Sequence, residues 1–120
     1  MRKATSTNLE NEKRLEDTCG LTYAMILTKG RWTINIIWSI YQGKNRYSSI
    51  RKDIEGISEK MLTQRLNELE EVGLVYKNFC DGSPPRTEYS LSPSGIAFIP
   101  VIDALCDWGN KVRPHTKTLV

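Results

Sequence analysis

Four polar side chains recur on one side of a predicted helix over residues 57–73. With successive residues 100° apart, Lys60, Thr63, Gln64 and Asn67 lie opposite a stripe of leucines. Ammonium, hydroxyl and amide groups of these types form hydrogen bonds with the base edges and phosphates of DNA. The pattern indicates a helix that can lie in a major groove. The solvated face of an ordinary amphipathic helix has the same pattern, so the neighbouring elements must decide between the two interpretations.

Capping and charge give this helix a direction. Ser58 is a good N-cap, Glu59 lies in the first turn where the helix dipole favours an anion, and Gly73 ends the helix. The polar side chains lie toward the N-terminal half, which is the end that a recognition helix presents to DNA. The C-terminal half is acidic, and we expect it to face away from phosphate: Glu68, Glu70 and Glu71.

Two predicted strands follow the helix directly. Leu74–Cys80 and Arg86–Leu91 form a hairpin whose tip, Asp81–Pro85, is polar and contains two prolines. Before the helix, the sequence predicts a short helix over Ser49–Ile54, capped by Ser48 or Ser49, and a tight turn at Gly56. A helix-turn-helix followed by a hairpin is a winged helix-turn-helix, so the fold class is mainly α with a small β-wing.

Other segments complete the predicted architecture. A very short strand is predicted at Arg46–Tyr47, and the apolar segment Trp32–Tyr41 is expected to be the buried central helix. Leu21–Leu27 is a short apolar helix. The segment from Asn8 to about Thr18 is a charged helix that would be marginal alone.

The last helix is unusually apolar. Ser92 and Pro93 mark its start, and Pro100 should kink it or fall near its beginning. Its apolar residues exceed what so small a domain can cover, so we expect it to cross to a second copy of the chain rather than fold onto its own core. The single predicted domain then comprises an arm (1–7), N-terminal helices (8–30), a winged-helix core (31–91), a dimerisation helix (92–113) and a tail (114–120).

Composition excludes several classes of protein. At 120 residues with 39% hydrophobic and 26% charged residues, the chain is of ordinary globular composition and one domain in size. No stretch reaches the length of a membrane span, and no apolar leader begins the chain. Three cysteines without CxxC spacing argue against a disulfide framework and a zinc site, so we expect a reducing cytoplasm and no cofactor. The only histidine is His115 in the tail, and no catalytic set is recognisable, so an enzyme is not expected.

With these elements placed, the sequence resembles the HxlR-type family of MarR-like winged-helix transcriptional regulators. The segments that carry the resemblance are Cys19–Leu21, Lys29–Thr33, Arg46–Ile50, Gly56–Leu66, Leu69–Val75, Pro84–Leu91 and Trp108–Gly109. The resemblance implies a bacterial DNA-binding regulator that forms a homodimer through its terminal helices and places the helix from Ser58 in the major groove. The effector, the operator and the sign of regulation are not indicated.

The predicted contacts with double-stranded DNA fall into two groups. The first can contact base edges or the wing's groove: Ser58, Lys60, Thr63, Gln64, Arg65, Asn67 and Arg86. The second belongs to a basic patch that would contact phosphates: Lys44, Arg46, Arg51 and Lys52. Arg65 lies at the flank of the leucine stripe, so it can instead pair with Glu68.

Cys19 raises the question of regulation. It lies between two predicted helices, and the resemblance implies a thiol that senses oxidants or electrophiles; the alternative is a small buried apolar residue. Lys29 and Arg31 would favour its thiolate if they were near in space. Cys80 and Cys106 are interpreted as packing residues. A regulator triggered by a small ligand and a winged helix that binds protein instead of DNA remain as alternatives.

Overall fold

The computed structural model of the chain describes residues 18–115. Within them, six α-helices, two β-strands and a final 3-10 turn follow in this order: α1 Gly20–Leu27, α2 Thr33–Tyr41, α3 Tyr47–Asp53, α4 Glu59–Glu71, β1 Val75–Cys80, β2 Arg86–Leu91, α5 Pro93–Ala97, α6 Ile99–Val112 and the turn Arg113–His115. The predicted fold class, mainly helical with a small two-stranded sheet, is confirmed. The predicted arm and almost all of the predicted charged helix at the N-terminus lie outside the described residues, as do residues 116–120.

The core forms where α2, α3, α4 and the wing meet. Its most deeply buried side chains are branched aliphatic residues from each of these elements: Ile36, Ile37, Ile50, Leu62, Leu66, Leu69 and Val75. Burying one such side chain contributes about 1.5–3 kcal/mol to folding. The predicted central role of α2 is confirmed, and the leucine stripe of α4 faces this core.

The two ends of α4 have the predicted chemistry. The Ser58 hydroxyl accepts a hydrogen bond from the Met61 amide at 3.1 Å, which is an N-cap bond. At the other end Gly73 takes a positive φ of 83°, and the Leu74 amide donates to the Leu69 carbonyl at 3.0 Å. This is a Schellman ending, and it turns the chain directly from α4 into the wing.

The wing is an antiparallel pair anchored at its base. Val75 pairs with Leu91 and Cys80 with Arg86, so the strands are in register from base to tip. At the base, the Ser92 hydroxyl donates to the Gly73 carbonyl at 2.6 Å and accepts from the Gly95 amide at 3.1 Å. One serine therefore closes the wing and caps α5, and the wing cannot swing freely about α4.

The predicted strand at Arg46–Tyr47 is wrong, and the predicted start of the next helix is late. Tyr47 is the first residue of α3, and Ser49 lies inside that helix, where its hydroxyl accepts from the Arg46 amide at 3.2 Å. Asn45 makes a backbone hydrogen bond with the wing: its carbonyl accepts from the Tyr89 amide at 2.7 Å. The next residue, Arg46, is extended, and the helix begins directly after it at Tyr47.

The predicted last helix is two helices. Phe98 ends α5 and precedes α6, and Pro100 is the second residue of α6. Because proline lacks an amide donor, it fits the first turn of a new helix and not the middle of a continuous one. The expected effect of Pro100 is confirmed. No helix among residues 18–115 is long and apolar enough to cross a membrane.

Candidate nucleic-acid interface

The outward face of α4 presents a continuous polar surface. Lys60, Thr63, Gln64 and Asn67 are all exposed, and together with Tyr47 and Glu59 they line a shallow open groove. The leucines on the other side of α4 fix the rotation of the helix, because turning these polar groups inward would expose Leu62, Leu66 and Leu69. The structure therefore brings the four predicted side chains together on one surface.

Tyr47 joins α3 to this face. Its phenol oxygen lies 2.9 Å from the Glu59 carbonyl oxygen and 3.0 Å from the Thr63 hydroxyl oxygen. Tyr47 was not among the predicted contact residues, because the sequence pattern placed it in a strand. A usable signal was present: Ser49, three residues after Arg46, is the spacing of a side chain that bonds back to a helix N-cap.

An ion pair joins the same two helices. Arg51 of α3 donates from Nη1 to Oε1 of Glu59 at 2.8 Å, with both side chains largely exposed. An exposed pair of this kind contributes about 0–1 kcal/mol to stability. Its electrostatic effect matters more, because Arg51 offsets the negative charge of Glu59, which lies in the first turn of α4 and would face phosphate. Arg51, predicted as a phosphate contact, thus already has an anionic partner.

Arg65 does not belong to the outward face. Its guanidinium pairs with Glu68 at 2.7 Å and donates to the Arg31 carbonyl at 3.1 Å, and its side chain is only 15% exposed. It also lies directly on Gly30, where an added Cβ would come within 2.7 Å of the guanidinium carbon. Of the two predicted roles for Arg65, the structure has the pairing with Glu68. The side chain ties α4 to the loop between α1 and α2.

The remaining predicted contacts are cations within α3 or just before it. Arg46 and Lys52 are exposed, and Lys44 is half-buried. Within the described part of the chain, none of these three cations nor Lys60 makes an ion pair. These four cations therefore remain available to an external anion.

The wing carries a compensated cation. Arg86 lies at the first residue of β2 and donates from Nε to Glu88 at 2.9 Å, with about half of its side chain exposed. The predicted contact residue therefore stands at the outer end of the wing, with part of its charge offset. The tip before it, residues 81–85, is exposed throughout.

Cys19 is exposed, so the alternative of a buried packing residue is wrong for the chain taken alone. It is the N-cap of α1, and its sulfur lies 3.3 Å from the Thr22 hydroxyl. Hydrogen bonds with the side chain and then the backbone of Thr22 hold the pKa of the Cys19 thiol below its ordinary value. Neither Lys29 nor Arg31 is among the causes, so the predicted charge effect is not the one that operates here.

The other cysteines differ from each other. Cys80 is partly buried at the end of β1, whereas Cys106 is exposed on α6 and so does not pack within the chain. Among the described residues, no group of three or more His, Cys, Asp or Glu side chains is placed to hold a metal ion.

The terminal helices expose apolar surface. No residue of α1 is buried, and Leu21 is 72% exposed. Along α6, Val101, Leu105 and Trp108 are exposed at a spacing of four and three residues, with Trp108 64% exposed. Residues at this spacing share one helix face. The two elements therefore present large apolar side chains to the surroundings of the chain.

The winged helix and its polar face can be compared with those of known proteins. The model of the HxlR-like helix-turn-helix family matches residues 27–117. The chain belongs to this family. It is similar to an HTH-type transcriptional regulator of Methanothermobacter thermautotrophicus, with 37% identity over 100 residues that make up 83% of this chain and 76% of the relative.

Two solved structures extend the comparison. A structure assigned to the MarR family of transcriptional regulators, from Porphyromonas gingivalis, is 35% identical with a TM-score of 0.69, over 90% of this chain and 96% of that one. The redox regulator HypR in its oxidised form is 27% identical with a TM-score of 0.72, over 84% of this chain and all (100%) of that one. This HxlR-family chain is thus a DNA-binding transcriptional regulator of winged-helix type and not an enzyme, as the sequence predicted.

Proposed function

We propose that this regulator binds a specific inverted-repeat operator as a homodimer, with α4 in the major groove and the wing beside it. The observation that carries the proposal is the division of α4 into a buried leucine stripe and an exposed face of base-contacting groups. Gln64 and Asn67 can each form paired hydrogen bonds with adenine, and Lys60 can donate to guanine. Arg65 is omitted from these contacts because its guanidinium is already bound within the chain.

Phosphate binding is assigned to the cations around this face. Lys44 and Arg46 precede α3 and Lys52 lies within it, all three without an ion pair among the described residues, and Ser58 lies at the N-terminus of α4. Cations at such positions neutralise phosphates and orient the protein without selecting a sequence. Arg51 is assigned a weaker role because Glu59 competes for it, and Arg86 is assigned a backbone or minor-groove contact from the wing.

Dimerisation is proposed from the apolar surfaces of α1 and α6. Exposed side chains such as Leu21 and Trp108 are unfavourable in water and would be covered by the same surfaces of a second copy. A twofold dimer places its two copies of α4 in half-sites roughly 34 Å apart, or at a multiple of that distance. Such a dimer acts on DNA, so we place its action in the cytoplasm.

We further propose that Cys19 is the sensing residue. The thiol is exposed, its pKa is lowered, and it begins the helix that we assign to the dimer interface. Similarity to the redox regulator HypR supports a redox signal. A hydroperoxide would transfer one oxygen atom to the Cys19 thiolate, which gives a sulfenic acid and releases an alcohol or water. A polar group added at this point would shift α1 and so change the distance between the two copies of α4.

The proposal is tested by fluorescence anisotropy of the reduced protein on its own upstream DNA and on a scrambled duplex, across a salt series. Preference for the upstream DNA, with log affinity falling linearly as log salt rises, supports a sequence-specific regulator. Absence of binding to either DNA at low salt would contradict it and favour a winged helix that binds protein. That alternative is weakened at the outset by the outward face of α4, which carries no large apolar side chain from Lys60 to Asn67.

A further inference from the structure

The contact between Tyr47 and Thr63 has a direction. Tyr47 carries one hydroxyl proton, and its oxygen lies 2.9 Å from the Glu59 carbonyl, which can only accept. That proton is therefore donated to Glu59. The second contact of the same oxygen, 3.0 Å to the Thr63 hydroxyl, must then be a hydrogen bond in which Thr63 donates and Tyr47 accepts. The chain of hydrogen bonds runs from Thr63 through Tyr47 to Glu59.

The direction of this chain fixes what Thr63 can offer to DNA. A free threonine hydroxyl has one proton and two lone pairs, so it can donate to or accept from a base. Here the single proton of Thr63 is already donated to Tyr47 at the wall of the groove, so only the lone pairs of Thr63 remain free to bind a ligand. Thr63 is exposed on the face of α4 that lines the groove, so these lone pairs are available to a ligand.

We infer that Tyr47 is a positioning residue that makes Thr63 an obligate hydrogen-bond acceptor, and that Thr63 thereby selects a base with an exocyclic amino group in each half-site. In the major groove, adenine presents its N6 amino group and cytosine its N4 amino group, whereas guanine and thymine present carbonyl oxygens. On the strand that faces Thr63, the operator is then expected to carry adenine or cytosine. The inference rests on the proposed insertion of α4 into the major groove.

The variant Tyr47→Phe isolates the effect because it removes only the hydroxyl. The ring of Tyr47 packs against the core and is retained, so the helices keep their arrangement. Without its acceptor, the Thr63 proton becomes free to rotate toward DNA, and carbonyl-bearing bases become acceptable. We expect the preference for adenine and cytosine over guanine and thymine at one position of each half-site to fall about 3- to 10-fold, which corresponds to one hydrogen bond. The other positions should be unchanged.

The experiment is selection of bound duplexes from a randomised library by full-length wild-type protein and by Tyr47→Phe, Thr63→Val and the double variant, followed by sequencing. Thr63→Val keeps the shape of the side chain and removes its oxygen, so it should abolish the preference at the same position. In the Thr63→Val background, adding Tyr47→Phe should then change nothing. A purely structural role for Tyr47 would instead weaken binding evenly at all positions.

The outcomes separate the inference from the function on which it rests. If the wild-type protein enriches no sequence, the proposed function fails and the inference fails with it. If the wild-type protein enriches an operator and Tyr47→Phe gives the same base preferences, the inference alone is overturned. Thermal unfolding of each variant shows whether the fold is retained, and Thr63→Val provides a second test at an exposed position should Tyr47→Phe be unstable.

Discussion

The surface formed by α3 and α4 and the surface formed by α1 and α6 expose different kinds of side chain to solvent. On α3 and α4 the exposed side chains are mostly polar, and two contacts join them across the helices, Tyr47 to Thr63 and Arg51 to Glu59. On α1 and α6 the exposed groups are large and apolar, as Leu21 and Trp108 show. The polar groups of the first surface can be hydrated by water, whereas the apolar side chains of the second are stabilised only when another apolar surface covers them.

This difference assigns the two surfaces to different partners. A prearranged polar face suits a hydrated polyanion, because hydrogen-bonding groups that are already oriented lose less freedom on binding. An apolar face suits a second protein surface. Arg65 connects the two regions, since it reaches from α4 to the carbonyl of Arg31 in the loop that follows α1.

The largest expected effect follows from making the apolar face polar. Leu105→Asp should convert the proposed homodimer to a monomer and lower affinity for the operator by about 100-fold or more, because the two half-sites would no longer be bound together. Sedimentation velocity and anisotropy measure the two changes. Asp103→Ala, an exposed position on another side of α6, is the matched control. A dimeric Leu105→Asp protein with full affinity would remove α6 from the interface.

Removing one base contact should have a smaller effect. Asn67→Ala is expected to weaken operator binding by about 1–3 kcal/mol, the range of one paired contact with a base, while binding to scrambled DNA changes little. Titration of both duplexes separates specific from nonspecific binding. Glu71→Ala, also exposed but in the acidic half of α4, serves as the comparison and should leave the preference intact. Equal losses on both duplexes would show that Asn67 contacts the backbone.

Two cations on α4 should respond in opposite ways. Arg65→Ala should lower the free energy of unfolding by about 1–2 kcal/mol, because it removes hydrogen bonds to Glu68 and Arg31 from a mostly buried side chain. It should leave the salt dependence of DNA binding unchanged. Lys60→Ala should reduce the slope of log affinity against log salt by about 1 and change stability by less than about 0.5 kcal/mol. Denaturant unfolding and salt titration of both variants are the measurements, and an exchanged pattern would refute the assignment.

The smallest effect concerns Cys19. Hydrogen bonds with Thr22 lower the pKa of this thiol, so Thr22→Val, which keeps the backbone amide and removes the hydroxyl, should raise that pKa. A raised pKa leaves less thiolate at pH 7, so alkylation of Cys19 by iodoacetamide should be slower. The midpoint of the alkylation rate against pH should also lie at higher pH. The rates are measured against pH with Cys80 and Cys106 replaced by Ser. An unchanged midpoint would mean that the Thr22 hydroxyl does not stabilise the thiolate.

Local sequence signals account for much of this structure. The leucine spacing, Ser58 and Gly73 were enough to predict α4, and the strand positions of the wing and the role of Pro100 were also predicted. These features depend on residues within a few positions of each other, where periodicity and capping preferences apply.

The missing parts depend on contacts between distant residues. Tyr47 and Thr63 are sixteen positions apart, and Arg51 and Glu59 are eight apart across a turn, so their contacts follow from the angle between α3 and α4. The false strand at Arg46–Tyr47 has the same origin, because the hydrogen bond to the wing comes from Asn45, which is distant from Tyr89 in sequence, and Tyr47 already begins α3. The pairing of Arg65 was an available alternative, and only its burial beside Gly30 decides between the two roles.

Methylation protection would show whether the polar face of α4 enters the major groove in two half-sites. Dimethyl sulfate modifies guanine N7 in the major groove and adenine N3 in the minor groove. On the selected operator, we expect two patches of protected guanine N7 on one side of the duplex, about one helical turn or a multiple of it apart. Asn67→Ala protein should weaken both patches equally. Protection confined to adenine N3, or a single patch of protected guanine N7, would contradict the insertion of α4 into two major-groove half-sites.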